Sequence, residues 1–222
     1  MMNSSFLLLI GAIILGFIAQ GWVSSAFKKY SKVPTANGMG GAQAARRILD
    51  MNGLRDVTIE MTQGRLSDHY DPKAKVLRLS PEVYKGASLA AVGVAAHESG
   101  HAIQDSKGYL PMKARQAVFP LANIGSQMLW PMILGGFVLG FRPLIWVGIV
   151  LYSFAVLFSI FTLPVEFDAS RRALGLLQEG GILAPQEIEG SRRVLTAAAM
   201  TYVAATLVAV LQLIRLIAMS RR

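Results

Sequence analysis

Four stretches of the chain are almost unbroken apolar: residues 6–27, 118–140, 143–164 and 194–219. Crossing a bilayer as a helix takes about 20 such residues, so the pattern predicts four membrane-spanning helices. The middle two are joined by the tight Phe141-Arg142-Pro143 and read as a transmembrane hairpin. Pro120 and Pro131 interrupt the second span, which spanning helices tolerate. A chain of this length cannot bury so many long apolar helices in water. Before the first span, residues 1–5 carry no Lys or Arg, whereas Lys28, Lys29 and Lys32 follow it. A cleaved signal peptide opens on positive charge and is shorter, so residues 6–27 read as a retained anchor.

Between the first two spans the pattern changes. Ala44, Ala45, Ile48 and Leu49 recur at helical spacing, with Gly53 just beyond, and predict a helix over 41–51. Residues 57–61 alternate like a strand, 63–72 are polar and turn-rich, and 75–80 alternate again. Ser80-Pro81-Glu82 looks like a helix start, and 88–104 form a further, largely small-residue helix. This is a helix–strand–strand–helix unit, α+β in class, outside the membrane. After the third span, 166–179 is amphipathic and ends at Gly180-Gly181; 184–190 begins a helix that turns apolar at Val194. The expected organisation is an anchor (1–27), an α+β unit (28–115), a transmembrane hairpin (116–165), a helix and connector (166–193) and a last spanning helix (194–222). The fold class is an α-helical membrane protein with four transmembrane helices and a small α+β unit.

Composition supports this reading. Hydrophobic residues make up 53% of the 222, charged residues only 16%, and the mean hydropathy is +0.46, more apolar than an ordinary soluble domain. The formal net charge is +9. No basic stripe with interleaved aromatics accompanies it, so no nucleic-acid partner is expected. Residues 28–115 hold 14 Lys and Arg and 166–193 hold 4 more, together 18 of 22. Cytoplasmic segments of membrane proteins carry that excess, so both segments are expected in the cytoplasm and the N-terminus outside. Arg221 and Arg222 would then also lie outside, against the trend. There is no cysteine, which excludes disulfides and thiolate metal sites. Any metal must be held by histidine and carboxylate.

The chemistry-bearing stretch is His97-Glu98-Ser99-Gly100-His101, an H-E-x-x-H motif holding two of the three histidines. On a helix, residues four apart share a face, so His97 and His101 would present two imidazoles to one ion. A catalytic zinc takes three protein ligands and leaves a place for water. Glu98, beside that face, can take a proton from this water. For the third ligand there are two options: His69, or a carboxylate after the hairpin, where Glu166 stands as the third span exits. Arg192 and Arg193 would bind a substrate carbonyl or carboxylate, or serve as interfacial anchors. An edge strand beside the motif helix would hold an extended peptide by backbone pairing.

Val165-Glu166-Phe167-Asp168-Ala169-Ser170 resembles the pattern of membrane zinc proteases of the gluzincin type, such as the HtpX heat-shock protease and the CaaX prenyl protease. There H-E-x-x-H is followed by a transmembrane hairpin and a helix reading E-F-x-A-D. Glu166, Phe167 and Ala169 match; Ser170 stands where the pattern has Asp. The whole chain is similar to the YugP-type neutral zinc metallopeptidases. The similarity is carried by Ser67-Asp68-His69-Tyr70-Asp71-Pro72, Leu79-Ser80-Pro81-Glu82-Val83-Tyr84, the motif with its following Ala-Ile-Gln, and residues 164–170. It implies a zincin-like catalytic unit in a multi-pass protein of the bacterial plasma membrane, cleaving peptide or protein substrates. Its Zn²⁺ would be held by His97, His101 and Glu166, with Glu98 as base. In that pattern the Asp orients a zinc-bound His; Ser170 would do so more weakly. Asp168, on another face of its helix, reads as a surface residue or arginine partner, or as part of that outer support. His69 is implied as donor to the oxyanion, with Tyr70 and Tyr109 as weaker candidates. Intramembrane proteolysis fits less well, since polar Gln104-Asp105-Ser106-Lys107 follow the motif and no later span holds an Asp-Gly pair. A non-catalytic membrane scaffold or metal-binding protein is the other class of reading; a pure metal site has no need of Glu98.

Overall fold

A computed structural model describes residues 4–220; Arg221 and Arg222 lie outside the described residues. Among the described residues, four helices are long and apolar enough to cross a membrane: α1 (Ser4–Tyr30), α5 (Leu110–Val138), α6 (Arg142–Glu179) and α7 (Pro185–Ser220). Each continues past the apolar run that marked it. α5 begins before Val118, α6 passes through Pro164 to Glu179, and α7 runs unbroken through 190–194. Hydropathy changes where a helix changes solvent, whereas the backbone ladder needs only residues that tolerate helix.

The chain forms two compact units. One contains α1 up to Ala19, Leu110–Pro164 and α7 from Met200. Leu129, Ile133, Ile149 and Leu216 form a buried cluster there. At Gly125 an added Cβ would stand 2.0 Å from the Leu151 carbonyl oxygen, the close helix–helix approach that small residues permit in membranes.

The other unit contains Gln20–Tyr109 and Val165–Ala199. Its three-stranded sheet has the order β1–β3–β2, from β1 (Thr58–Met61), β2 (His69–Asp71) and β3 (Val76–Leu79). β1 runs parallel to β3 with Thr58 opposite Val76; β2 runs antiparallel with His69 opposite Arg78. β2 lies inside the stretch that the sequence marks as turn. Asp71 Oδ1 accepts the N–H groups of Lys73 and Ala74 at 3.0 and 3.1 Å, closing a short connection that folds β2 onto β3. Arg78 on the central strand bonds Asp71 at 3.0 Å and approaches Glu60 at 3.5 Å, tying both edge strands together. β3, the segment over 75–80, is therefore interior, and the sheet edges are β1 and β2.

α2 (Gly41–Met51), α3 (Pro81–Lys85) and α4 (Leu89–Ser106) complete the unit. α4 lies between two apolar clusters. Leu77, Leu79, Val83, Ala90, Ala95 and Ala102 join sheet, α3 and α4. Ile48, Val92, Ala96, Ile103, Ala173, Leu177 and Leu195 join α2, α4, α6 and α7. Burying one such Leu or Ile contributes about 1.5–3 kcal/mol, so the motif helix is clamped on both sides.

Candidate metal centre

α4 is started by Ser88, whose Oγ accepts the Ala91 N–H at 3.2 Å, an N-cap. Nine residues on, His97 and His101 share one face, their rings 4.7 Å apart and nearly perpendicular. α6 runs against this face. Gly100 makes the approach possible, since a Cβ there would come 2.8 Å from the Ala169 carbonyl oxygen. Glu166 is thereby placed between the imidazoles: its Oε2 lies 3.2 Å from His97 Nε2 and 3.7 Å from His101 Nε2. Zinc bonds of about 2.0–2.1 Å set tetrahedral ligand atoms roughly 3.3 Å apart, so these separations fit one ion.

The hydrogen bonds fix which atoms face that point. Gln104 is fully buried. Its Nε2 donates to the Val165 carbonyl at 2.8 Å and to Asp168 Oδ2 at 2.9 Å. Both partners only accept, so the amide orientation is set, and Gln104 Oε1 faces His101 Nδ1 at 3.0 Å. An amide oxygen only accepts; Nδ1 must carry the proton and Nε2 the lone pair. On the other imidazole, Nδ1 lies 3.1 Å from Ser170 Oγ. Two imidazole Nε2 atoms and a carboxylate oxygen thus converge in a buried place that calls for positive charge. Electrostatics agrees. Burial disfavours charge on His101, but the hydrogen bond to Glu166 and the charges of Glu98 and Glu166 outweigh it and raise its affinity for protons. Among the described residues, His97, His101 and Glu166 form the one group of this kind able to hold a metal ion.

Glu98 is also buried. Burial pushes its pKa above the ordinary carboxylate value, and the charges of Glu166 and Asp68 push the same way, against the two histidines. A carboxylate raised in this way is a better base. Asp68 is held by the backbone N–H of Ser80 at 2.7 Å and its hydroxyl at 3.1 Å, while burial raises its own pKa.

The remaining sequence-marked residues lie as follows. His69, on the edge strand β2, is exposed and bonds the Ser67 carbonyl through Nδ1 at 2.8 Å; it is not part of the metal-capable group. Tyr70 donates its hydroxyl to Asp105 at 3.1 Å. Tyr109 lies under the Arg172 guanidinium. Arg192 and Arg193 are exposed and pair with Glu189. Asp168 is no surface residue: it is buried and bonded to Arg171, Arg172 and Gln104. Gln104 carried no role in the sequence reading. One signal was there: Gln104 stands three residues beyond His101 on one helix.

Comparisons with known proteins bear on the chain as a whole. The family model described as "Putative neutral zinc metallopeptidase" matches residues 5–221. The chain is also similar to "Putative membrane protease YugP" of Bacillus subtilis (strain 168), at 48% identity over 210 residues, covering 95% of this chain and 93% of that relative. No solved structure matches. The cofactor implied by the family is Zn²⁺, and the donor set of two imidazoles and a carboxylate fits it. With nearly its whole length matched, the chain belongs to the neutral zinc metallopeptidase family.

Proposed function

We propose that this protein is a membrane-bound zinc endopeptidase of the gluzincin type, with a zincin-like catalytic unit, that hydrolyses peptide bonds at the cytoplasmic face. The observation that carries the reading is the convergence of His97 Nε2, His101 Nε2 and Glu166 Oε2 beside the buried base Glu98. His97, His101 and Glu166 would hold the metal. Zinc bound there supplies Lewis acidity, which polarises a carbonyl and makes water acidic. Glu98 accepts one proton from the attacking water as the new C–O bond forms, then delivers it to the departing nitrogen as the C–N bond breaks. Ser170 holds His97 with Nε2 toward the metal.

The exposed edge of β2 offers backbone groups to an extended substrate, and His69 on that strand is assigned to the oxyanion. Its Nδ1 already donates to the Ser67 carbonyl, so for Nε2 to donate as well the ring must carry both protons. The cytoplasmic side rests on the 18 of 22 Lys and Arg that fall in residues 28–115 and 166–193. The purified full chain should cleave casein, and a chelator should stop it until zinc is restored. Cleavage that ignores the chelator would reject a zinc peptidase, and no cleavage with zinc bound would favour a metal-binding scaffold.

A further inference from the structure

We infer that Gln104 and Asp168 form a positioning relay for His101, which holds its Nε2 on the metal; the inference rests on the ligand set proposed above. In the gluzincin-like pattern a carboxylate at position 170 would support a zinc-bound histidine. Here that position is Ser170, bonded to His97, and the buried carboxylate is two residues earlier, on the second histidine through an amide. The path is continuous. Arg171 and Arg172 bond Asp168, Asp168 accepts from Gln104 Nε2 at 2.9 Å, and Gln104 Oε1 accepts from His101 Nδ1 at 3.0 Å.

Each link constrains the next. Two arginines keep Asp168 an acceptor. With the Val165 carbonyl at 2.8 Å, Asp168 obliges the Gln104 amide to turn its nitrogen toward α6. The oxygen is then left for His101, whose proton must reside on Nδ1. Reversing the amide would set its oxygen against two acceptors and its nitrogen against an N–H, at the desolvation cost of three unmade hydrogen bonds. The tautomer that presents Nε2 is therefore built in before any ion arrives. The amide carries no net charge, so it orients the imidazole without placing a third carboxylate against it beside Glu98 and Glu166. Gln104 and Asp168 are positioning residues, since neither is among the metal-capable group.

A buried glutamine that merely stitched α4 to α6 would make the same bonds, so the test must read the metal. In the full-length protein in detergent, zinc affinity is measured by chelator competition, and the cobalt-substituted protein by its visible absorption. Gln104→Met, close in size but without the amide, should bind zinc about 10–100-fold more weakly and shift the cobalt bands. Gln104→Glu should also weaken binding, because its carboxylate faces Asp168. The double variant Gln104→Glu/Asp168→Asn should recover affinity relative to Gln104→Glu, since the Asn amide donates to the Glu, which still accepts from His101. That pair carries the test if Gln104→Met does not fold. Wild-type affinity and cobalt spectrum in Gln104→Met, or no recovery in the double variant, overturns the relay while the ligands stand. His101→Ala, measured in parallel, should lose stoichiometric zinc; full retention there overturns the ligand set itself, and the relay with it.

Discussion

Gly100, between the two histidines of the motif, lies so close to Ala169 that a Cβ at position 100 would stand 2.8 Å from the Ala169 carbonyl oxygen and 3.2 Å from its Cα. The neighbour is helix backbone, so it cannot step aside as a flexible side chain would. Gly100→Ala must push α4 and α6 apart, and overpacking of this kind costs about 1–3 kcal/mol. Glu166 and Ser170 flank Ala169 on α6 and would move with it. The variant should unfold at lower temperature and hold zinc more weakly. Wild-type behaviour in both measurements would show that the α4–α6 spacing does not set the site.

Glu98→Gln keeps the shape and the metal ligands but removes the base. Zinc content should match wild type, while peptide cleavage should fall by about 10²–10⁴-fold, the usual contribution of a positioned acid–base group. Full cleavage by this variant would refute the proposed mechanism.

Ser170 accounts for the departure from the E-F-x-A-D pattern. A hydroxyl at 3.1 Å from His97 Nδ1 is a weaker acceptor than a carboxylate. Ser170→Ala should loosen zinc by about tenfold, near the lower end for lost outer support of a ligand. Ser170→Asp should bind at least as tightly as wild type. Looser binding by Ser170→Asp would mean that the hydroxyl is required for a reason other than accepting from His97.

The side of the membrane can be read by labelling. The chain has no cysteine, so a single one introduced at the exposed turn residue Lys73 is the only target. An impermeant thiol reagent applied to intact cells should leave Lys73→Cys unlabelled and label it after lysis. Labelling from outside would place the α+β unit on the opposite face.

The features legible in the sequence were those with a long physical period. Apolar runs of bilayer length marked the spanning helices, and four-residue spacing marked the His97–His101 face. Helix ends marked by glycine or proline were legible, as at α2 (Gly41–Met51), but the continuity of a helix beyond its apolar run was not: α6 continues through Pro164 to Glu179 because a change of solvent does not end a backbone ladder. β2 was hidden because three residues, His69–Asp71, are too few for an alternation to show, and at a sheet edge all three can be polar. The scarcity of histidine drew attention to His69, whose side chain is exposed on that edge strand; rarity alone does not say where a residue lies. Asp168 reads from the sequence as a surface residue, an arginine partner or part of the outer support of the metal ligands. Both arginines are there, yet the carboxylate is buried, because the amide it meets, Gln104, is 64 residues away in the chain.

The third zinc ligand is the point on which the assignment turns, and the rivals to Glu166 are His69 and Asp168, the next carboxylate after the hairpin. Glu166 alone brings a carboxylate oxygen within 3.2 and 3.7 Å of the two imidazole nitrogens. The oxygens of Asp168 are engaged by Gln104, Arg171 and Arg172, and His69 is tied to Ser67 on the edge strand. A carboxylate also brings the negative charge that a neutral histidine pair lacks, so its loss should cost zinc more than the 10–100-fold typical of lost outer support. Glu166→Ala, Asp168→Ala and His69→Ala should be stripped with chelator, reconstituted with zinc and analysed for metal content in parallel. Glu166→Ala should fail to regain stoichiometric zinc, Asp168→Ala should regain it but release it more readily to a competitor, and His69→Ala should match wild type. Stoichiometric zinc in Glu166→Ala with loss in either of the others would move the third ligand to that residue and remove the basis for the gluzincin assignment.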